Sequence, residues 1–236
     1  MNSKFTFLFK RIVAGMVGVL GFAASAQALI LTPTFTTVAV DTTTAESTTV
    51  LRADLAGLGI SQISYITVND SNSGTGGSPG AYSGFDLDAL FLDLDGDYLT
   101  LGDQIYASSF DFTAGSIRSG SAPASNTSGA LNGSIDDSTV DEAFATLNTI
   151  DAIFFGTGSI SLGDGGSLTA NFDPAVAITG SLFVIAGEVG TGVGEAITGL
   201  IEISDTPNRV PEPSILALMV AGLAGLGFTR RRKQQV

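Results

Sequence analysis

Aspartates recur through one short stretch of the chain, where they alternate with apolar residues. Ca²⁺ binds roughly six to eight oxygen ligands in flexible geometry, so several carboxylates in one segment can form a site for it. Calcium is therefore a candidate cofactor of this stretch, and a solvated acidic turn is the favoured interpretation. The candidate ligands are Asp86, Asp88, Asp93, Asp95 and Asp97, and Asp103 lies close enough along the chain to join them.

The alternating aspartates from Asp93 to Asp97 resemble the start of an EF-hand loop. An EF-hand has glycine at its sixth loop position, where this chain has Tyr98, and a bidentate glutamate at its twelfth, where it has Gln104. The EF-hand proper is therefore excluded, and the predicted site is a looser one. Asp86 and Asp88 enter an apolar strand, and a buried carboxylate needs a hydrogen-bonding partner or a metal ion.

The composition excludes several kinds of catalysis. The chain has no histidine and no cysteine, so it cannot form a Ser-His-Asp triad, a thiolate nucleophile or a zinc site built on either residue. It also has no tryptophan, the largest aromatic surface for stacking on a sugar. We expect a protein that is not an enzyme. A carboxylate-only glycoside hydrolase acting on polysaccharide is the alternative.

Both ends of the chain have the pattern of targeting segments. Residues 1–28 combine a basic start, an apolar run and the small residues Ala26 and Ala28 at a cleavage site, which predicts a secretory signal peptide. An uncleaved N-terminal anchor is the alternative. Near the C-terminus an uncharged apolar run predicts a transmembrane helix, with a buried core helix as the alternative. Its basic end predicts that the C-terminus stays in the cytoplasm, through Arg230, Arg231, Arg232 and Lys233.

Pro211, Glu212 and Pro213 precede that apolar run and its arginine cluster. This order and terminal position resemble the PEP-CTERM sorting signal of exported bacterial proteins. The resemblance implies recognition by exosortase, a membrane transpeptidase-like enzyme, after export by the secretion machinery. It also implies a transient or permanent anchor in the inner membrane, followed by delivery to the cell surface or an extracellular polysaccharide matrix. It implies nothing about the activity of the body.

These segments divide the chain into a signal peptide (1–28), one body domain (29–209) and a sorting tail (210–236). The formal net charge is -13. Most of the basic residues lie in the two targeting segments, so the body is more acidic than the whole chain. Such a surface repels nucleic acid, which excludes it as a partner, and attracts cations.

The body is predicted to be mainly β. Short runs rich in Thr and Val, separated by Gly, Ser and Asp turns, indicate an antiparallel β-sandwich that is jelly-roll-like. The first strands are expected at 31–40, 47–55 and 62–68. One short helix is predicted after Thr139, because Glu142 three residues later completes a capping box.

Two tight hairpins are also predicted. Asp95-Gly96 lies between apolar runs, which favours a two-residue turn, and Asp164 to Gly166 favours a three-residue turn. The expected cross-strand pairs are Leu92 with Leu99, Leu90 with Leu101, Leu162 with Leu168 and Ile160 with Ala170.

Together these patterns predict an exported protein of the cell surface or extracellular matrix. Its body is expected to be a non-catalytic structural or polysaccharide-binding module, and whether it depends on calcium stays open.

Overall fold

The structure is a computed structural model that describes residues 30–43, 47–75, 78–120, 131–152, 158–190 and 200–204. The predicted signal peptide with Ala26 and Ala28, and the sorting tail with its apolar run, lie outside the described residues. Within the described residues, no helix has the length and hydropathy needed to cross a membrane.

The described residues form β-strands joined by turns and loops, as expected from short runs rich in β-branched and other apolar residues. The strands are β1 (Ile30–Leu31), β2 (Thr36–Asp41), β3 (Thr48–Asp54), β4 (Gln62–Asn69), β5 (Asp86–Asp93), β6 (Gln104–Ile105), β7 (Ser109–Thr113), β8 (Ser134–Asp136), β9 (Thr139–Val140), β10 (Ile160–Ser161), β11 (Ser167–Ala177), β12 (Phe183–Val189) and β13 (Leu200–Ser204).

These strands form two main sheets. Sheet A has the order β1-β13-β4-β11-β7, and sheet B has the order β10-β5-β12-β3-β2, with β6 also paired to β5. β8 and β9 form a separate two-stranded sheet. The strand pairs are antiparallel. The prediction of a mainly β, antiparallel fold is therefore confirmed, and its jelly-roll character stays a prediction.

One apolar core receives side chains from both sheets. Ile66 of β4 and Leu168 of β11 enter it from sheet A, while Leu51 of β3 and Val184 of β12 enter it from sheet B. In β4 and β11 these side chains alternate with polar residues, as expected when one face of a strand is buried. The two sheets thus bury their apolar faces in a shared core.

Sheet B is buried on its second face as well. A smaller apolar cluster on that face contains Val50, Phe91 and Ile185, and Tyr98 packs against it. Strand β5 is consequently buried along its whole length. This double burial includes the three aspartates of β5, whose carboxylates must find partners inside the protein.

The predicted helix after Thr139 is wrong, and the described residues contain no helix. Thr139 lies in β9 and pairs with β8. A single turn follows, in which the N–H of Ala145 donates to the carbonyl of Asp141 at 2.7 Å. Leu147 then adopts a φ of 52°, and its carbonyl accepts a hydrogen bond from Leu90 in β5. Docking of this segment against sheet B therefore overrides the local helix signal.

The predicted tight turn at Asp95-Gly96 is also wrong. Leu92 of β5 lies opposite Ile105 of β6, which leaves a longer loop between the two strands. Leu99 and Leu101, expected to face leucines of β5, are instead 65% and 85% exposed. The reason is the local folding of the alternating aspartates, which cap turns rather than extend strands.

The second predicted hairpin, around residues 164–166, is wrong because its two arms enter different sheets. In sheet B, Ile160 of β10 lies opposite Leu87. In sheet A, Leu168 of β11 lies opposite Val68. The chain crosses from one sheet to the other at this point.

Glycines make this crossing sterically possible. An added Cβ on Gly166 would lie 1.9 Å from the carbonyl oxygen of Leu162, and one on Gly84 would lie 2.6 Å from the backbone of Gly163. Gly84 and Gly163 also have φ values of 75° and 76°, which only glycine adopts readily. An added Cβ on Gly115 would lie 2.5 Å from the backbone nitrogen of Gly166. The backbone segments at Gly84, at Gly115 and at 162–166 therefore meet here at distances that exclude side chains.

We predict that Gly166→Ala will destabilise the protein by about 3 kcal/mol, because the backbone must move to admit the methyl group. Thermal unfolding should show a decrease of about 6 to 12 °C in Tm. Gly180→Ala is the matched control, since its Cβ would have nothing within 4 Å. Equal melting of the two variants would contradict the close packing of the crossing.

Candidate metal centre

The loop between β5 and β6, residues 94–103, is called the acidic loop below. It brings three carboxylates together at one end of sheet B. Asp93 is the last residue of β5, Asp95 lies two residues into the loop, and Asp103 is its last residue. One carboxylate oxygen of each lies within 4.8 Å of the others. Three oxygen donors at this separation can hold one metal ion.

The alternating aspartates fold the first half of the acidic loop. The Oδ1 of Asp93 accepts hydrogen bonds from the N–H groups of Asp95, at 3.1 Å, and Gly96. The Oδ1 of Asp95 accepts from Asp97 at 2.8 Å, and the Oδ1 of Asp97 accepts from Leu99 at 3.2 Å. Each aspartate thus caps the turn that follows it. The Oδ2 of Asp93 takes no part in these turn-capping hydrogen bonds.

The three carboxylates concentrate negative charge in a partly buried place. Asp93 is 0% exposed, and its Oδ2 and the Oδ1 of Asp103 are buried without a hydrogen-bond partner among the described residues. Burial raises the pKa of Asp93; the N–H of Gly96 opposes this change, and the carboxylates of Asp103 and Asp95 raise the pKa further. A buried carboxylate of this kind is stabilised by a proton or by a cation.

Neighbouring strands of sheet B hold the acidic loop in place. Arg52 of β3 donates from Nη1 to the carbonyl of Gly96 at 2.8 Å, and its guanidinium lies over the ring of Phe183 at 5.3 Å. The carbonyl of Tyr98 accepts from Nε2 of Gln104 at 3.0 Å. The guanidinium of Arg52 therefore contacts the Gly96 carbonyl and the Phe183 ring. It positions the loop and forms no salt bridge with the three carboxylates.

Tyr98 adds a contact on the opposite side of the loop. Its side chain packs against the outer apolar cluster of sheet B, and its hydroxyl interacts with Asp41 at the end of β2. Burial, followed by the carboxylate of Asp41, raises the pKa of Tyr98 above its ordinary value. The acidic loop is thus attached to β2 as well as to β3, which gives its carboxylates defined positions before any ion binds.

The other predicted ligands lie outside this cluster. The Oδ1 of Asp88 accepts from the N–H groups of Asp151 at 3.1 Å and Ala152 at 3.0 Å, and its Oδ2 accepts from the Thr48 hydroxyl. The carboxylate of Asp86 accepts from the hydroxyl of Ser161. These bonds join β5 to its neighbours.

Asp97 is exposed in the same loop and is not part of the group formed by Asp93, Asp95 and Asp103. Of the five named candidates, the structure therefore brings together Asp93 and Asp95. Asp103 joins them from the far end of the loop. Its signal in the sequence is its position immediately before β6, the strand that pairs with β5.

The C-terminal tail marks the chain as an exported protein, because residues 209–233 match the family model of a protein-sorting motif. This motif is the PEP-CTERM protein-sorting motif, so the resemblance found in the sequence is confirmed. It implies export, processing by exosortase and association with the cell surface. A search of curated proteins and a search of solved structures found no match to the chain.

We predict that Asp88 makes stability depend on pH. Burial raises its pKa from 3.8 to about 6, and hydrogen bonds from Thr48, Asp151 and Ala152 only partly oppose this change. The folded protein therefore holds this proton more tightly than the unfolded chain does. The resulting stabilisation is present below the unfolded pKa and is lost as the pH rises through about 6.

Asp88→Asn removes this titration, keeps one oxygen acceptor and replaces the other oxygen with an NH2 donor. Relative to wild type, the variant should gain up to about 3 kcal/mol in unfolding free energy between about pH 4 and pH 7. Denaturant unfolding of both proteins across that pH range measures the difference in their unfolding free energies. Contributions from the other carboxylates are the same in both proteins and cancel in this difference. Parallel curves for the two proteins would contradict the assignment.

Proposed function

We propose that this protein is an exported component of the cell surface or extracellular polysaccharide matrix, and that its body is a non-catalytic structural module organised by calcium. The observation that carries the proposal is the convergence of Asp93, Asp95 and Asp103, with two buried oxygens that lack a partner among the described residues. Extracellular polysaccharide is the proposed surrounding partner, because the sorting motif directs the chain to the cell exterior.

The chemistry of the three side chains favours a hard divalent cation. All three offer carboxylate oxygens, which suit Ca²⁺, Mg²⁺ and Mn²⁺ better than softer metals. The donors come from a strand end and a loop of irregular geometry. Ca²⁺ accepts such geometry, whereas Mg²⁺ requires nearly ideal octahedral coordination. Extracellular calcium modules bind with Kd values of about 10⁻⁴ to 10⁻³ M. With such a Kd, the occupancy of this site would depend on the external calcium concentration.

The charge of the protein supports the same conclusion. The chain has a net charge of -13, and its nearest guanidinium to the acidic loop, Arg52, contacts the Gly96 carbonyl. None of the described basic side chains forms an ion pair with Asp93, Asp95 or Asp103, so no salt bridge offsets the mutual repulsion of these carboxylates. A bound divalent cation would offset that repulsion and stabilise the loop.

The alternative of a glycoside hydrolase has less support from the geometry. The pKa of Asp88, raised to about 6, would suit a general acid. A catalytic carboxylate must nevertheless touch the substrate. Asp88 is fully buried and Asp86 is nearly so, and the hydrogen bonds of both carboxylates join strands of sheet B. A structural role accounts for both residues.

We predict that calcium raises the melting temperature of the full chain. At about 100 times the Kd, binding adds about 2.7 kcal/mol, or roughly 5 to 10 °C for a protein of this size. Asp93→Asn should abolish the shift relative to a chelator. Asp97→Asn is the matched control, because it removes a carboxylate of the same loop that lies outside the cluster. No shift in wild type, or an equal shift in the Asp93 variant, would refute the site.

The sorting proposal has a separate test. An epitope tag fused after Val236 should disappear from the mature protein in a host that contains exosortase, because processing near Pro211, Glu212 and Pro213 removes the tail. The same fusion should keep its tag in a host that lacks the enzyme, and immunoblotting of both cultures distinguishes the two results. A tag retained in both hosts would count against C-terminal processing.

A further inference from the structure

Two loops close one end of the sandwich by joining its sheets. Residues 55–61 connect the end of β3 in sheet B to the start of β4 in sheet A, and residues 178–182 connect the end of β11 in sheet A to the start of β12 in sheet B. The N–H of Leu55 donates to the carbonyl of Leu182 at 2.9 Å, which holds the two loops together. This end, formed by residues 55–61 and 178–182, is called the lower end below.

The acidic loop lies at the lower end. Asp93, the last residue of β5, lies opposite Phe183, the first residue of β12. Phe183 in turn lies opposite Asp54, the last residue of β3. The candidate metal centre therefore lies beside both of the loops that join the sheets.

The first and last described strands also converge toward the lower end. β4 starts at this end, and β13 runs antiparallel to it, so β13 runs toward the lower end and finishes with Ser204 opposite Tyr65. β1 begins with Ile30 opposite Ser204. The strand that precedes the sorting motif is thus directed toward the end that holds the acidic loop.

The sorting motif begins a short distance along the chain from β13. Residues 205–210 separate Ser204 from Pro211 of the triplet. A chain of this length reaches at most about 25 Å. The apolar run that follows the triplet is predicted to span the membrane, so this short connection holds the body close to the bilayer. Because β13 runs toward the lower end, that end is the one nearest the membrane.

We propose that the lower end is the membrane-facing surface of the unprocessed protein, and that a divalent cation in the acidic loop binds it to anionic phospholipid headgroups. This inference rests on the proposed calcium site and on the proposed membrane anchor. Ca²⁺ takes roughly six to eight oxygen ligands. Asp93, Asp95 and Asp103 supply only part of that number, so phosphate oxygens of lipid headgroups can occupy the remaining positions.

The charge of the acidic loop makes this contact depend on the cation. Asp93, Asp95, Asp97 and Asp103 lie in or beside the loop, and residues 94–103 contain no Lys or Arg. Without a cation, an anionic bilayer repels these carboxylates, and each unit of charge changes the population at such a surface about fivefold. A bound divalent ion offsets two units of this charge and also supplies the bridge.

Site-directed fluorescence tests the orientation, because the chain contains no cysteine of its own. Ser181→Cys places a fluorophore at the lower end, and Ser71→Cys places one beyond the last residue of β4, at the opposite end; both side chains are exposed. Each variant, with its sorting tail, is purified from a host that lacks exosortase and inserted into vesicles. A spin label on the lipid headgroups quenches fluorophores that lie at the bilayer surface.

In vesicles containing phosphatidylglycerol, calcium should raise the surface-bound population of the label at position 181 about fivefold or more over chelator. The label at position 71 should show little change. Asp93→Asn should lose the calcium response, and Asp97→Asn, the matched control from the same loop, should keep it. In vesicles of phosphatidylcholine alone the response should be far smaller, since the net anionic charge is absent.

The calcium-dependent melting temperature separates this inference from the calcium site. If calcium raises the melting temperature but not the quenching at position 181, the inference fails and the calcium site stands. If it raises neither, both fail. A chain that does not float with vesicles would refute the membrane anchor. Stronger quenching at position 71 than at 181, or an equal calcium response in phosphatidylcholine vesicles, would also overturn the inference.

Discussion

The structure depends on how one doubly buried strand accommodates its carboxylates. β5 lies inside sheet B with apolar clusters on both faces, yet it contains Asp86, Asp88 and Asp93. Hydrogen bonds from β3, β10 and the segment at 151–152 satisfy the first two. Asp93 lies at the strand end, where one oxygen caps a turn and the other enters the acidic cluster. Position along one strand therefore separates structural carboxylates from candidate metal ligands.

Local patterns in the sequence were sufficient for the strands but not for their partners. The runs at 47–55 and 62–68 correspond closely to β3 and β4, since alternation of apolar side chains depends on neighbours in the chain. Both hairpins were wrong in register because pairing depends on residues far away. Leu92 lies opposite Ile105, which follows a long loop, and Leu168 lies opposite Val68 in sheet A, whereas Ile160 of the predicted partner strand lies in sheet B. The capping box at Thr139 failed for the same reason.

The cation chemistry of the candidate site stays a prediction, and the structure brings only part of the predicted ligand set together. The density of aspartates predicted an oxygen-rich cation site, and Asp93 and Asp95 belong to the cluster in the structure. The spacing of the aspartates alone could not show that the Asp88 carboxylate accepts hydrogen bonds from the Thr48 hydroxyl and from two backbone N–H groups. It could not show that Asp103 returns to Asp93 either, because that return depends on the register of β6.

The two ends of the body meet in sheet A, where Ile30 of β1 lies opposite Ser204 of β13, and β13 inserts between β1 and β4. Among the described strands, the last one synthesised is thus an interior strand of this sheet, and it ends a few residues before the sorting motif at 209–233. Such distant pairings give the fold a high contact order and slow folding. The described strands of sheet A consequently cannot complete their pairing until β13 has been synthesised, so the chain upstream of the sorting motif stays incompletely folded up to that point.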